Sequence, residues 1–339
     1  MRNPNVLYLG NNLLSKTGYP STLQILSEFL QSEGYNIKAA SSKSNVILRM
    51  LDMFYSIFKH QKRTDIVLID AYSTLNFYYT YFCVVLLKCL KKPYIPILHG
   101  GNLPERLKKS PKLSKAVFSN AFINVAPSGY LSEVFQQAGF KTTCIPNTLK
   151  IEQYGFKHRK KVSPKLLFVR AFTAIYNPLM AIRVLFELKK DFPNAKLCMV
   201  GPDRDGTLAN VKALAKELDL ESSVEFTGVL PKEEWHKKSE NFDIFINTSN
   251  VDNMPVSIIE AMALGLPVVT TNVGGMKYLV EDKVTGFLVK PNDVQAMTKS
   301  IKYLIENGSD NMTQNARKQI ETYQWKVVKH QWNKLLSQG

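Results

Sequence analysis

The sequence predicts two α/β domains in tandem, each a parallel sheet crossed by helices. Three observations carry that reading. Short runs rich in β-branched and aromatic residues alternate with longer stretches of helical period from one end of the chain to the other. The alternation is interrupted once, by the basic stretch KHRKKVSPK at 157–165, and then begins again. At 339 residues with 45% apolar content, the chain is long enough for two cores of ordinary size.

In the first half, NVLYLG, NIKAAS, DIVLID, PYIPIL, AFINVA and TTCIP read as strands, with helices between them. After the basic interruption, LLFVR, AKLCMVG, VEFTGV, DIFINTS, PVVTTN and GFLV repeat the pattern. Parallel strands need crossover helices, and each gap is long enough to hold one. Near the C-terminus, TYQWKVVKHQWNKLLSQ places Trp325 and Trp332 seven residues apart on one helical face, where core packing is the default expectation.

Composition excludes several classes. The apolar content argues against disorder, and no apolar run reaches the roughly 20 residues that span a bilayer. The start, MRNPNVLYLGNNLLS, lacks a signal-peptide apolar stretch, so a cytoplasmic protein is expected. Cys83, Cys89, Cys144 and Cys198 form no C-x-x-C pair and have no nearby His at ligand spacing, which points to free thiols and no metal site. Asp203 and Asp205 in GPDRDGT read as a surface loop. The net charge is +16, and residues 1–150 hold 18 Lys/Arg against 7 Asp/Glu. Such a surplus suits an anionic partner. No nucleic-acid motif accompanies it, and the basic residues are scattered over several elements.

The stretch VDNMPVSIIEAMALGLPVVTTNVGG carries the chemistry. DIFINTS ends a strand, NVDNMP is a loop, and VSIIEAMALG is a helix whose Ile258, Ile259, Met262, Ala263 and Leu266 suit packing on a sheet. Asp252 therefore lies in the loop and Glu260 about one turn into the helix. Between them, Met254, Pro255, Val256 and Ser257 sit at a helix N-terminus, where free amides and the macrodipole favour an anion such as a phosphate. A diphosphate there has room for hydroxyl-bearing groups on both sides, and ionised carboxylates accept hydrogen bonds from vicinal diols.

An acid, seven residues and then Glu, followed by AMALGLPVVTTNVGG and TGFLV, resembles the retaining glycosyltransferases of family 4, which have the GT-B fold: two Rossmann-like, doubly wound parallel-sheet domains facing an interdomain cleft. The resemblance spans essentially the whole chain and is densest over 244–290. It implies that Glu260 holds the ribose hydroxyls of a donor nucleotide and Asp252 the hydroxyls of the transferred sugar. In LLFVRAFTAIYNP it implies that Arg170 binds the diphosphate. The Lys that the family places a few residues later has no counterpart; Tyr176 and Asn177 occupy that region and are candidates to donate hydrogen bonds to the phosphates. LGNNLLSKTGYPSTLQ resembles the family's N-terminal glycine loop, making Gly18 and Lys16 donor-side candidates. His99, at the end of PYIPILHGG, is implied to contact the sugar near the reaction centre. Ser128 and Asn147 match family segments near the cleft.

The organisation expected is therefore an acceptor-side domain at 1–155, a nucleotide-sugar-binding domain at 164–315, and a C-terminal helix at 316–339 returning to the first domain. The function implied is retaining transfer of a sugar from a nucleotide-diphosphate donor, UDP- or GDP-linked, to a glycan or lipid-linked acceptor in cell-surface polysaccharide synthesis. No cofactor or metal is expected beyond that donor. A sugar-nucleotide epimerase of the same fold and a non-catalytic homologue that binds anionic ligands are the alternatives. VILRMLDMFYSIFKHQKR places Ile47, Met50, Leu51, Phe54 and Phe58 on one helical face with Arg49, Lys59, Lys62 and Arg63 nearby. That face either packs on the sheet or helps basic elements dock on an anionic membrane, which puts the protein at the inner face of that membrane.

Overall fold

The computed structural model describes residues 3–12 and 21–338, and they form two compact α/β units. The first comprises residues up to Leu149 together with 323–339, and the second runs from Lys150 to Thr322. All twelve runs expected to be strands are strands.

The first unit is built from β1 (Asn5–Leu9), α1 (Thr22–Ser32), β2 (Asn36–Ala40), α2 (Val46–His60), β3 (Ile66–Ala71), α3 (Asn76–Cys89), β4 (Tyr94–Leu98), α4 (Leu103–Lys109), α5 (Pro111–Phe118), β5 (Asn124–Ala126), α6 (Gly129–Gln137) and β6 (Thr142–Cys144). Its six parallel strands lie in the order β2-β1-β3-β4-β5-β6. Strands β3 and β4 are buried along their whole length, as parallel strands covered on both faces must be. Local chemistry starts the helices: Ser21 and Gln24 form a reciprocal capping box on α1, and the Ser128 side chain accepts the Leu131 amide at the start of α6.

The second unit holds β7 (Lys165–Val169), α7 (Pro178–Lys189), β8 (Lys196–Val200), α8 (Thr207–Glu217), β9 (Val224–Gly228), α9 (Lys232–Ser239), β10 (Ile244–Asn247), α10 (Val256–Ala263), β11 (Val268–Thr271), α11 (Met276–Leu279), β12 (Phe287–Val289), α12 (Val294–Asn307) and α13 (Asp310–Glu321). The strand order is β12-β11-β10-β7-β8-β9, again all parallel. The last helix, α14 (Trp325–Leu336), belongs to the first unit. Trp325 stacks on Phe29 with ring centroids 4.9 Å apart, and both Trp325 and Trp332 are buried against residues of β1 and α1.

In each sheet the winding reverses once, between β1 and β3 in the first unit and between β7 and β10 in the second. Open α/β sheets bind their ligands at the carboxyl ends of the strands flanking such a reversal.

Candidate functional site

In the second unit the reversal brings together Arg170, immediately after β7, and the loop after β10 that carries Asp252. Helix α10 follows that loop, with Ile258, Ile259, Met262, Ala263 and the following Leu266 all buried. The double glycine after β11 holds the loop in place. The Gly275 amide donates to the Asp252 carbonyl at 3.2 Å, and a Cβ on Gly275 would sit 2.0 Å from the Asn253 carbonyl oxygen. Only glycine permits that approach.

Arg170 donates through Nη2 to the Asp252 carboxylate, which also accepts the Ser249 hydroxyl at 3.2 Å and the Asn253 amide at 3.0 Å. The Arg170 guanidinium lies 3.9 Å from the centre of the Tyr176 ring. Tyr176 thus supplies a cation–π face where the resemblance leads one to expect a second cation. Burial pulls the Arg170 guanidinium below its usual value, an effect opposed by Tyr176. Three buried donors at this end of the sheet, Arg170 Nε, Thr173 Oγ1 and Ser257 Oγ, have no hydrogen-bond partner among the described residues. Buried donors left unpaired are costly, and an anion with several acceptor oxygens satisfies them. Pro255 is the N-cap of α10 and no side chain caps the helix, so its first amides remain open toward the loop. Met254 is half-buried, Pro255 is buried, and Val256 is exposed at the first helical position.

Glu260 occupies a different electrostatic setting. Its Oε1 accepts the Tyr154 hydroxyl at 2.9 Å and pairs with Lys232 Nζ at 2.9 Å, while His236 Nε2 lies 3.9 Å from Oε2, at ion-pair distance only. Burial pushes its carboxyl up, but His236 and Lys232 outweigh burial and hold it below the usual carboxylate range. Tyr154, Lys232 and His236 are missing from the sequence-level candidates. Tyr154 stands at the domain junction, and Lys232 and His236 sit on α9, more than twenty residues before Glu260, where no spacing rule links them to it.

The remaining candidates are placed as follows. Asn177 adopts a left-handed backbone at the start of α7 and donates its side-chain amide to Asn292 at 2.8 Å, which ties it to the helix start. Asp203 and Asp205 accept the Gly206, Thr207 and Ala174 amides, bracing α8 and the turn before Tyr176. Lys16 and Gly18 lie outside the described residues. In the first unit, His99 is buried just after β4, and its Nε2 lies 2.9 Å from the carboxylate of Asp70, a residue the sequence reading did not single out. The Asp70 carboxylate also accepts the buried Tyr8 hydroxyl at 2.9 Å. A Cβ on Gly10 would fall 2.2 Å from Asp70, so glycine at the end of β1 makes space for this carboxylate. The His99–Asp70 pair sits at the carboxyl ends of β3 and β4, the ligand-binding end of its own sheet.

The defining pattern of the family glycosyl transferases group 1 matches residues 150–319. An uncharacterized glycosyltransferase of Haemophilus influenzae is 34% identical over 158 residues, covering 46% of this chain and 44% of that protein. The amylovoran biosynthesis glycosyltransferase AmsK of Erwinia amylovora is 24% identical over 259 residues, covering 70% of this chain and 61% of that protein. Protein CapJ of Staphylococcus aureus is 25% identical over 319 residues, or 88% and 78% of the two chains. The chain thus spans less than two thirds of the length of the first two relatives. Among solved structures, Anabaena Alr3699/HepE in complex with UDP and glucose superimposes with a TM-score of 0.76 at 18% identity, covering 99% of this chain and 100% of that one. A sucrose-phosphate synthase from Thermosynechococcus elongatus gives 0.81 at 16% identity, with 99% and 98% covered. At these identities the structural likeness speaks for the fold, the two Rossmann-like α/β domains of GT-B. The family pattern covers half of the chain and nearly all of the unit that carries Arg170, Asp252 and Glu260, and the chain belongs to the glycosyl transferases group 1 family.

Proposed function

We propose that this protein is a retaining glycosyltransferase of the family 4 type, moving a sugar from a nucleotide-diphosphate donor to a glycan or lipid-linked acceptor in cell-surface polysaccharide synthesis. The observation that carries the reading is the grouping of Arg170, Asp252 and the uncapped start of α10 at the sheet reversal, with Arg170 Nε, Thr173 Oγ1 and Ser257 Oγ all lacking partners among the described residues. Glycosyl transfer needs the departing diphosphate stabilised as positive charge grows at the anomeric carbon. Donors already fixed in a buried setting do this at little reorganisation cost.

In this reading Arg170 and the amides at the start of α10 hold the diphosphate, Asp252 binds sugar hydroxyls, and Glu260 accepts the ribose diol. His236 and Lys232 keep the Glu260 carboxylate ionised, and the Tyr154 hydroxyl helps orient it for that task. On the first unit, His99, held by Asp70 at the ligand-binding end of its own sheet, is assigned a sugar contact on the family resemblance. Tyr176 fixes the plane of the Arg170 guanidinium, so that one bidentate cation takes the place of two point charges. The names of the Erwinia relative, a biosynthetic glycosyltransferase, and of a solved neighbour holding UDP and glucose support the donor and pathway class.

A panel of sugar nucleotides screened by thermal stabilisation tests the reading, since a ligand that binds the native state raises the melting temperature. Stabilisation by one nucleotide class is the expected result. If no sugar nucleotide shifts the transition, the assignment fails.

A further inference from the structure

The sequence left open whether the apolar face of α2 packs on the sheet. It does not. Met53 and Ile57 face the core, Met50 and Phe54 are half-buried, and Ile47, Leu51 and Phe58 are 65%, 54% and 52% exposed. Tyr55 and, on the neighbouring α3, Phe82 are also exposed. Among the described residues, ten of the seventeen exposed large hydrophobic ones lie on α2 and α3 or at their starts, so they are concentrated where scattering is the norm. The orientation of α2 is locked. Arg49 is 5% exposed and donates to the Lys43 and Ser44 carbonyls and to the side chains of Asn11 and Asn76. Rolling the helix to hide its apolar stripe would break all of those bonds.

We propose that the outward faces of α2 and α3 form a membrane-docking surface for an anionic phospholipid bilayer, with apolar side chains entering the interface and basic ones meeting the headgroups. Charge selects this occupant. Exposed Lys59, Lys62 and Arg63 close α2 and exposed Lys88 and Lys91 close α3, all within the half of the chain whose surplus is +11. Two copies meeting through this surface would oppose like charges, whereas an anionic bilayer complements them. No helix among the described residues is long and apolar enough to cross a membrane, so the contact is peripheral. Both helices start at the end of the sheet that carries Gly10, Asp70 and His99, which sets the docking surface beside the ligand-binding end of its unit. The inference goes beyond the charge-driven contact expected from sequence, because insertion of apolar side chains predicts binding that salt does not fully abolish.

The test is co-sedimentation of the full chain with phosphatidylcholine vesicles, with and without phosphatidylglycerol, at low and high salt. Binding to the anionic vesicles, with a fraction retained at high salt, is expected. Glu in place of Lys59, Lys62 or Arg63 should weaken it by about fivefold or more for each change. The double variant Leu51→Ser, Phe58→Ser should lose the salt-resistant fraction while keeping its melting temperature, because both side chains point outward. A Val229→Ser control, at an exposed residue of the second unit, should bind like the parent. Failure to bind anionic vesicles at low salt would overturn the proposal, as would binding indifferent to the Leu51 and Phe58 changes. A Leu51- and Phe58-dependent dimer in light scattering, or an acidic polypeptide that alone occupies the surface, would overturn it too. Nucleotide titration on the same preparation separates this failure from failure of the glycosyltransferase reading.

Discussion

Asp252→Asn gives the sharpest test of the Arg170 site because it predicts a gain and a loss in the same variant. Asp252 engages Arg170 where the two side chains are only 12% and 14% exposed, so the pair is poorly screened. A hydrogen bond to a charged group contributes about 1.5–3 kcal/mol. An incoming diphosphate must share Arg170 with this carboxylate or displace it. Removing the carboxylate charge returns part of that energy to the ligand, and with 1.4 kcal/mol per factor of ten, a nucleoside diphosphate should bind about tenfold more tightly. Without ligand the variant should melt lower than the parent, since a buried guanidinium has lost its counterion, and saturating diphosphate should close the gap. Sugar transfer should nevertheless fall by about tenfold or more, because the group proposed to hold the sugar hydroxyls is gone. Calorimetric titration with nucleoside diphosphates, followed by turnover of the sugar nucleotide, reads both effects. Weaker diphosphate binding by the variant would refute the competition, and unchanged transfer would remove Asp252 from the sugar site.

Further outcomes follow from the structure. Arg170→Lys should lower turnover at least tenfold with the circular dichroism spectrum intact, as a point charge cannot reproduce bidentate contacts; unchanged kinetics would move Arg170 out of the site. Glu260→Ala should weaken nucleotide binding even without the sugar. Because the folded-state pKa of Glu260 is lowered, its ionised form stabilises the fold above the unfolded carboxyl value of about 4.5, and that contribution disappears as pH falls through the lowered value, so Glu260→Gln should flatten the acid limb of a melting-temperature profile. Trp325→Ala should cost about 3–5 kcal/mol in urea denaturation by removing the stack on Phe29 and the bond to Glu33. Iodoacetamide on the native protein should label exposed Cys89 and spare Cys83 and Cys198, since burial raises both of those thiols, Cys198 to about 12.

Alternation of short β-branched or aromatic runs with helical stretches made the fold legible, and the central strands β3, β4 and β10, buried along their whole length, read most plainly as continuous apolar runs. The loop carrying Asp252 and the helix carrying Glu260 were legible because strand, loop and helix follow one another directly in sequence. The carboxylates' partners were not. Lys232 and His236 reach Glu260 from α9 across the fold, and Asp70 meets His99 only because β3 and β4 are neighbours in the sheet. The outward face of α2 was hidden for a related reason. Its period is that of any amphipathic helix, and what turns the stripe outward is Arg49, whose acceptors Asn11 and Asn76 lie on other elements.

The central claim is sugar transfer from a nucleotide donor with retention of configuration. Proton NMR of the sugar-bearing product formed when the protein turns over its sugar nucleotide, on the acceptor or, with water as acceptor, as free sugar caught before mutarotation, tests it most directly. The account predicts an initial signal with the donor's own anomeric configuration, lost in Arg170→Lys. An initial signal of the opposite anomer, or no turnover of any sugar nucleotide that the protein binds, would contradict it.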